Sequence, residues 1–183
     1  MSSMNLYNDL SCVLLDEGKI KEIVSKLGKQ ITEDYRGKKL LLVSVLKGAV
    51  VFLTDLMREI DLPLEIDFMV ASSYGAKTAS SGVVKIKLDL QEDLSGYDIL
   101  IVEDILDSGV TLSKIAGMLK TRGANSVRIC TFLDKPERRI ADIKADYVGT
   151  SIPNEFVVGY GLDYDGRYRN LPVLGVLKRE IYE

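Results

Sequence analysis

Three carboxylates and two hydroxyls crowd the stretch from Ile99 to Leu112, ILIVEDILDSGVTL. Ile99, Leu100, Ile101 and Val102 make an unbroken apolar run, as a strand buried on both faces requires. Glu103, Asp104 and Asp107 are expected just past the end of that strand. Ser108, Gly109, Val110 and Thr111 follow, and a helical pattern begins at about Leu112. A helix start presents unpaired N–H groups and the positive end of the dipole, so it binds phosphate without a lysine. Carboxylates beside a phosphate would repel it, unless they hold sugar hydroxyls or a cation instead. A phosphorylated sugar reconciles the two halves of the stretch. By itself an acidic pair can be a solvated turn, and Asp107-Ser108 before a helix can be an N-cap. The buried strand on one side and the hydroxyls on the other favour a binding site. The chain contains neither a G-x-x-x-x-G-K-[ST] phosphate loop nor a G-x-G-x-x-G dinucleotide fingerprint.

The elements around this stretch must position it. From about Asp16 to Tyr35, apolar residues at Ile20, Ile23, Val24, Leu27 and Ile31 form one helix stripe, closed by Gly37. Leu40 to Leu46 is apolar except for Ser44 and suits a central parallel strand. Lys47-Gly48 interrupts it, a helix with Ala49, Phe52, Leu53, Leu56 and Ile60 on one face follows, and Pro63 precedes a strand from Leu64 to Ala71. That is a βαβ unit. Ser72 to Gly82, SSYGAKTASSG, is small and polar, a long connection of the kind that carries function, with Gly75 and Gly82 as hinges. Val83 to Leu90 alternates and predicts a half-exposed strand paired antiparallel through that loop. After the central stretch, Leu112, Ile115, Ala116 and Leu119 mark a helix ended by Gly123, and Val127 to Leu133 the next strand. Beyond about Ala145 the chain predicts short strands at Tyr147-Val148, Phe156 to Val158 and Val173 to Leu177. The alternating pattern predicts an open α/β sheet, in which ligands bind at the carboxyl ends of the strands. Lys47, the acidic turn and Lys135 all fall at such ends.

Composition narrows the chemistry. A chain of 183 residues is most simply one domain with a sizeable core. With 24 basic and 27 acidic residues it lacks the basic excess of a dedicated nucleic-acid binder. No apolar run approaches the roughly 18 residues that span a bilayer, and no signal-peptide pattern opens the chain, so it reads as cytoplasmic. Cys12 and Cys130 form no metal-spacing motif, and Cys130 within VRICTFL reads as a buried small hydrophobe. There is no histidine. Proton transfer therefore falls to Asp, Glu, Lys, Tyr, solvent or the substrate, and a metal held by carboxylates and phosphates would be Mg²⁺.

VEDILDSGVTL closely resembles the phosphoribosyl diphosphate (PRPP) signature of type I phosphoribosyltransferases. Leu46-Lys47-Gly48, Ser73-Tyr74, Leu133-Asp134-Lys135-Pro136 and the run Phe156 to Tyr164, FVVGYGLDY, resemble the 6-oxopurine branch, the bacterial hypoxanthine-guanine phosphoribosyltransferases, in order and spacing. The resemblance implies the type I phosphoribosyltransferase fold: one domain over 1–183, an open twisted mainly parallel sheet flanked by helices over about 38–150. A small hood would come from the N-terminal segment and about 151–183. It implies transfer of ribose 5-phosphate from PRPP to N9 of hypoxanthine or guanine, giving IMP or GMP and pyrophosphate in purine salvage, by a homodimer or homotetramer, with no nucleic-acid or membrane partner.

Each role is carried over on a matching residue. Glu103 and Asp104 would hold the ribose hydroxyls, directly or through Mg²⁺. Asp107, Ser108, Gly109, Val110 and Thr111 would wrap the 5′-phosphate; the family more often has threonine where this chain has Ser108, and the hydroxyl is retained. Asp107 would be the general acid/base facing N7 of the purine. Lys47 and Gly48, at a cis Leu46–Lys47 peptide, would meet pyrophosphate together with Ser73, Tyr74 and Arg169, the Ser73-Tyr74 loop acting as a lid. Lys135 would donate to the oxygen on purine C6, Phe156 would stack on the base, the Val157 backbone would read its edge, and Asp163 would bind a second Mg²⁺. Two other readings share the fold: a PRPP- or nucleotide-binding regulator, and a phosphoribosyltransferase for a different base. Lys135 and Asp163 speak against both, while no side chain plainly reads the C2 position that separates hypoxanthine, guanine and xanthine.

Overall fold

The structure, a computed structural model, describes residues 5–73, 84–91 and 93–183. In chain order the elements are β1 (Leu10–Leu15), α1 (Glu17–Asp34), β2 (Leu40–Val45), α2 (Val50–Glu59), β3 (Leu64–Ser73), β4 (Val84–Leu88), β5 (Asp98–Leu106), α3 (Val110–Thr121), β6 (Ser126–Asp134), β7 (Tyr147–Ser151), β8 (Val157–Val158), β9 (Leu174–Leu177) and α4 (Arg179–Tyr182). Six strands form one sheet in the order β4-β3-β2-β5-β6-β7, parallel except for β4, which runs antiparallel to β3. A second, antiparallel sheet has the order β1-β9-β8.

Local sequence explains the framing helices. Asp16 caps α1 by accepting the Lys19 N–H at 2.8 Å, and Ile20, Val24, Leu27 and Ile31 are its buried stripe. Gly28 lets α1 and α2 approach closely, because a Cβ there would sit 2.6 Å from the Glu59 carbonyl oxygen. One apolar cluster, including Phe52, Leu53, Leu100 and Phe132, fills the α1/α2 side of the main sheet; a second, including Val43, Ile101, Ile115 and Leu119, fills the α3 side. A third, around Val158, Tyr168 and Leu177, underlies the small sheet. Cys130 is fully buried, as its apolar neighbours predict.

One correction matters for the site. The expected strand ends at Val102, but β5 runs on to Leu106, so Glu103 and Asp104 lie within a strand rather than past it. The cause is a difference in strand length. Pairing of β5 with β2 stops at Ser44↔Val102, whereas pairing with β6 continues through Glu103↔Thr131 to Leu106↔Asp134. From Glu103 onward β5 is held on its β6 edge only, and β2 has turned away at Leu46, which opens a cleft there. Helix α3 also starts at Val110, before the expected Leu112, and Tyr147-Val148 belongs to a longer strand on the edge of the main sheet. Strand β1 was not expected; its pairing with β9 is interrupted by two bulges, so its apolar pattern does not alternate cleanly.

Candidate active site

The cleft at the carboxyl ends of β2 and β5 has a volume of about 270 Å³ and is lined by Lys47, Gly48, Glu103, Asp104, Asp107, Ser108, Gly109 and Thr111, among others. A larger cavity of about 590 Å³ lies between α1, α2 and Tyr160–Pro172. It touches Arg169 but contains none of the acidic pair, so the smaller cleft is the one with chemistry.

Glu103 and Asp104 alternate across β5. Burial, reinforced by the neighbouring Asp104 carboxylate, pushes the Glu103 carboxyl well above the usual carboxylate range. Burial likewise raises Asp104 to about 6, opposed by the Ile105 N–H that its Oδ1 accepts at 2.7 Å and by the charge of Arg169. Two adjacent carboxylates, Glu103 buried and Asp104 half-buried, stay ionised together only when a cation or hydroxyl donors offset their repulsion and desolvation. This donor set fits Mg²⁺, which takes one or two carboxylates and completes its shell with water and substrate oxygens. Among the described residues no group of three or more Asp, Glu, Cys or His side chains makes a cage from protein alone.

Gly48 faces this pair. A Cβ on Gly48 would collide with the Asp104 carboxylate, and a Cβ on Gly161, at φ +97°, would collide with the Gly48 carbonyl oxygen. Glycine at both positions lets three segments meet, from β2, β5 and the FVVGYGLDY run. The Leu46–Lys47 peptide is cis. Arg169 is brought in by the same run: its guanidinium donates to the Gly161 carbonyl at 2.7 Å and pairs with Asp163 at 2.5 Å. Asp163 also accepts the Gly166 N–H at 2.9 Å.

After β5 the chain turns through Asp107 to Gly109 into α3. Gly109, at φ +77°, is the N-cap residue, with no side chain to cap the helix. Asp107 is therefore not the cap: its carboxylate pairs with the Arg138 guanidinium, Nε to Oδ1 2.8 Å. The first intrahelical bond is Ser113 N–H to Gly109 O at 2.9 Å, so the amides of Val110, Thr111 and Leu112 precede it at the open end of α3, where Val110 N–H reaches Ser108 Oγ at 3.5 Å.

Lys135 lies beside this loop, because its N–H donates to Leu106 O at 3.0 Å. Its ammonium is buried and donates to the Glu155 carbonyl at 2.6 Å, which ties the end of β6 to the residue before Phe156. Burial lowers the Lys135 pKa and Arg138 lowers it further, against the charges of Asp107 and Glu155. Phe156 keeps 37% exposure; it stacks on Tyr182 with ring centroids 4.7 Å apart and meets Tyr164 edge-on at 5.7 Å. Val157 is in β8, paired with Val176.

The cleft thus gathers Lys47, Gly48, Glu103, Asp104, Asp107, Ser108, Gly109 and Thr111. Arg169 lies against Gly48, and Lys135, beside Asp107, leads to Phe156 and Val157. Tyr74 and the loop that follows, with Gly75 and Gly82, lie outside the described residues, and Ser73 is the last residue of β3. Two residues the sequence did not single out, Arg138 and Arg139, both contact Asp107, one at its carboxylate and the other at its main-chain carbonyl. Their only sequence signal is a pair of arginines soon after Lys135-Pro136.

A mainly parallel sheet with an acidic strand end, a hydroxyl-glycine turn and a helix start facing one cleft defines an enzyme that handles a phosphorylated sugar. Comparison with known proteins identifies the class. The family model described as "phosphoribosyl transferase domain" matches residues 13–165, and the chain belongs to that family, with the type I fold. It is 53% identical over 177 residues to the hypoxanthine-guanine phosphoribosyltransferase of Streptococcus pneumoniae, covering 97% of this chain and 98% of that protein. It is also 53% identical over 178 residues to the bifunctional protein TilS/HprT of Listeria monocytogenes, covering 97% of this chain but only 28% of that protein. A crystal structure of a hypoxanthine phosphoribosyltransferase from Staphylococcus aureus superposes with a TM-score of 0.96 at 51% identity, covering 100% of both chains. No helix among the described residues is long and apolar enough to cross a membrane.

Proposed function

We propose that this protein is a 6-oxopurine phosphoribosyltransferase of purine salvage, transferring the 5-phosphoribosyl group of PRPP to N9 of hypoxanthine or guanine and releasing pyrophosphate. The observation that carries the reading is the buried Lys135 ammonium, held between the ends of β5 and β6 and the Glu155–Val157 segment, beside the Asp107 loop. An ammonium in that position is a donor for an oxo group on the base and would repel an amino group.

The geometry supports a division of labour. Departure of pyrophosphate from C1 of the ribose builds positive charge on the ring, which Glu103 and Asp104, ionised by the hydroxyl donors and cation that the substrate brings, would steady. They would also hold Mg²⁺, with Asp163 binding a second ion; when bound, the metal neutralises diphosphate charge. The amides of 108–111 with the Ser108 and Thr111 hydroxyls would hold the 5′-phosphate, using helix dipole and hydrogen bonds in place of a basic side chain. Lys47, Gly48, Ser73, Tyr74 and Arg169 would take the pyrophosphate side, and the Ser73-Tyr74 loop would exclude water. Phe156 would stack on the purine, the Val157 backbone would read its edge, and Asp107 would exchange a proton with N7. The single domain would divide into a sheet core of about 38–150 and a hood made of the small sheet with 151–183. The same reading takes the enzyme to be cytoplasmic and a homodimer or homotetramer.

The test is pyrophosphate release on mixing the protein with PRPP, Mg²⁺ and, separately, hypoxanthine, guanine, xanthine, adenine and uracil. Release with hypoxanthine and guanine, and none with adenine or uracil, is expected. No release with any oxopurine would refute the proposal.

A further inference from the structure

The 5′-phosphate loop can present its amides to the cleft only if its carbonyls point the other way and find donors there. The segment behind the loop supplies them. The Arg139 guanidinium donates from Nη1 to the Asp107 carbonyl at 2.5 Å, and the N–H groups of Ile140 and Ala141 donate to the Ser108 carbonyl at 2.9 and 3.0 Å. Nη2 of the same guanidinium pairs with Asp134, the last residue of β6 and the neighbour of Lys135. The Arg139 side chain is only 18% exposed, and a Cβ on Gly109 would lie 3.2 Å from its Cδ and 2.5 Å from Ile143 Cγ2. The back of the loop is thus packed as well as hydrogen-bonded, and beyond it lies a cavity of about 430 Å³ lined by Asp134, Arg139, Ala141 and Ile143, among others.

We propose that Arg139 is a positioning residue for the 5′-phosphate subsite: by fixing the Asp107 carbonyl against the end of β6 it turns the following amides into the cleft. Arg138 and Arg139 divide Asp107 between them, Arg138 pairing with the carboxylate and Arg139 donating to the main-chain oxygen. Arg139 touches no substrate, since its guanidinium is spent on Asp107 and Asp134. Its effect is confined to ligands that carry the 5′-phosphate, because the pyrophosphate-side groups Lys47, Gly48 and Arg169 stand on other segments. This inference rests on the functional reading above.

The molecule provides a matched control. Arg122, the residue that ends α3 at the opposite end from the loop, also bridges a carboxylate and a main-chain carbonyl, donating to Asp89 and to Leu90 O at 2.8 Å each. The experiment measures dissociation constants of IMP and of pyrophosphate with Mg²⁺ for the wild type, Arg139→Met and Arg122→Met, with melting temperatures alongside. Arg139→Met is expected to weaken IMP about tenfold to a hundredfold, the range for a lost charged hydrogen bond, and to leave pyrophosphate within about twofold. Arg122→Met is expected to lose comparable thermal stability with IMP affinity retained. If Arg139→Met does not fold, Arg139→Lys, which keeps the charge but not the two-armed grip, is measured instead with the same expected split. Unchanged IMP affinity in the folded variant, or equal weakening of IMP and pyrophosphate, overturns the proposal. A wild type that binds neither IMP nor pyrophosphate refutes the functional reading itself.

Discussion

Replacing Lys135 by methionine removes a charge and a donor while keeping most of the side-chain volume. The lysine is 8% exposed, and its ammonium donates to Glu155 O at 2.6 Å, so the group is sheltered and has a fixed protein partner. A hydrogen bond from a charged donor to the base oxygen contributes about 1.5–3 kcal/mol. At about 1.4 kcal/mol per tenfold, kcat/KM for hypoxanthine should fall about 10- to 150-fold in Lys135→Met. PRPP affinity should stay within about twofold, because uniform damage to the cleft would move both parameters. Initial rates at saturating PRPP, with calorimetric PRPP titrations, give the two numbers. Burial also sets a pH signature. It lowers the Lys135 pKa below the usual 10.5, so the ammonium is lost earlier than usual as pH rises, and wild-type kcat/KM for hypoxanthine should decline on an alkaline limb that Lys135→Met lacks. A variant with unchanged hypoxanthine kinetics, or one whose PRPP affinity falls in parallel, would refute the assignment.

Three further outcomes follow from the same geometry. Asp107→Asn should lower kcat about 10²- to 10⁴-fold, the range for a lost general acid/base. Its PRPP affinity and melting temperature should hold, because Asp107 does not cap α3; parallel losses in rate and PRPP affinity would argue against the proton-transfer role. Gly161→Ala forces a side chain onto the Gly48 carbonyl at a backbone angle that disfavours L residues, and should destabilise the protein by roughly 2–5 kcal/mol and weaken pyrophosphate binding, read by urea unfolding and titration. Tyr35→Phe removes a buried hydroxyl with no hydrogen-bond partner among the described residues, and should raise stability by about 1 kcal/mol, or roughly 2–4 °C in Tm; a lowered Tm would mean that the hydroxyl is satisfied.

Much of this arrangement is legible in the sequence because each signal is local. The α1 stripe, the apolar run of β2 and the glycine stop at Gly123 are patterns within one element, and the structure reproduces them. The acidic pair is a different case. Its residues were identified, but their setting was misplaced, because the end of β5 is decided by how far β6 continues beside it. Strand β1 went unseen for the same reason, since it is a strand only by virtue of β9 more than 150 residues later. Arg139 escaped because its partner in the loop, the Asp107 oxygen, is a main-chain carbonyl, and a carbonyl leaves no mark in a sequence. The Arg138–Asp107 pair joins residues 31 apart and likewise requires the fold.

Two halves of one stretch would do separate work, the acidic pair on the ribose and the turn after it on the phosphate. A crystal structure of the protein with Mg²⁺ and PRPP measures this directly. The 5′-phosphate should lie against the amides of 108–111 and the hydroxyls of Ser108 and Thr111, with the ribose hydroxyls on Glu103 and Asp104, directly or through the metal. A 5′-phosphate bound elsewhere, or a ribose that leaves Glu103 and Asp104 without a hydroxyl or a cation, would contradict it.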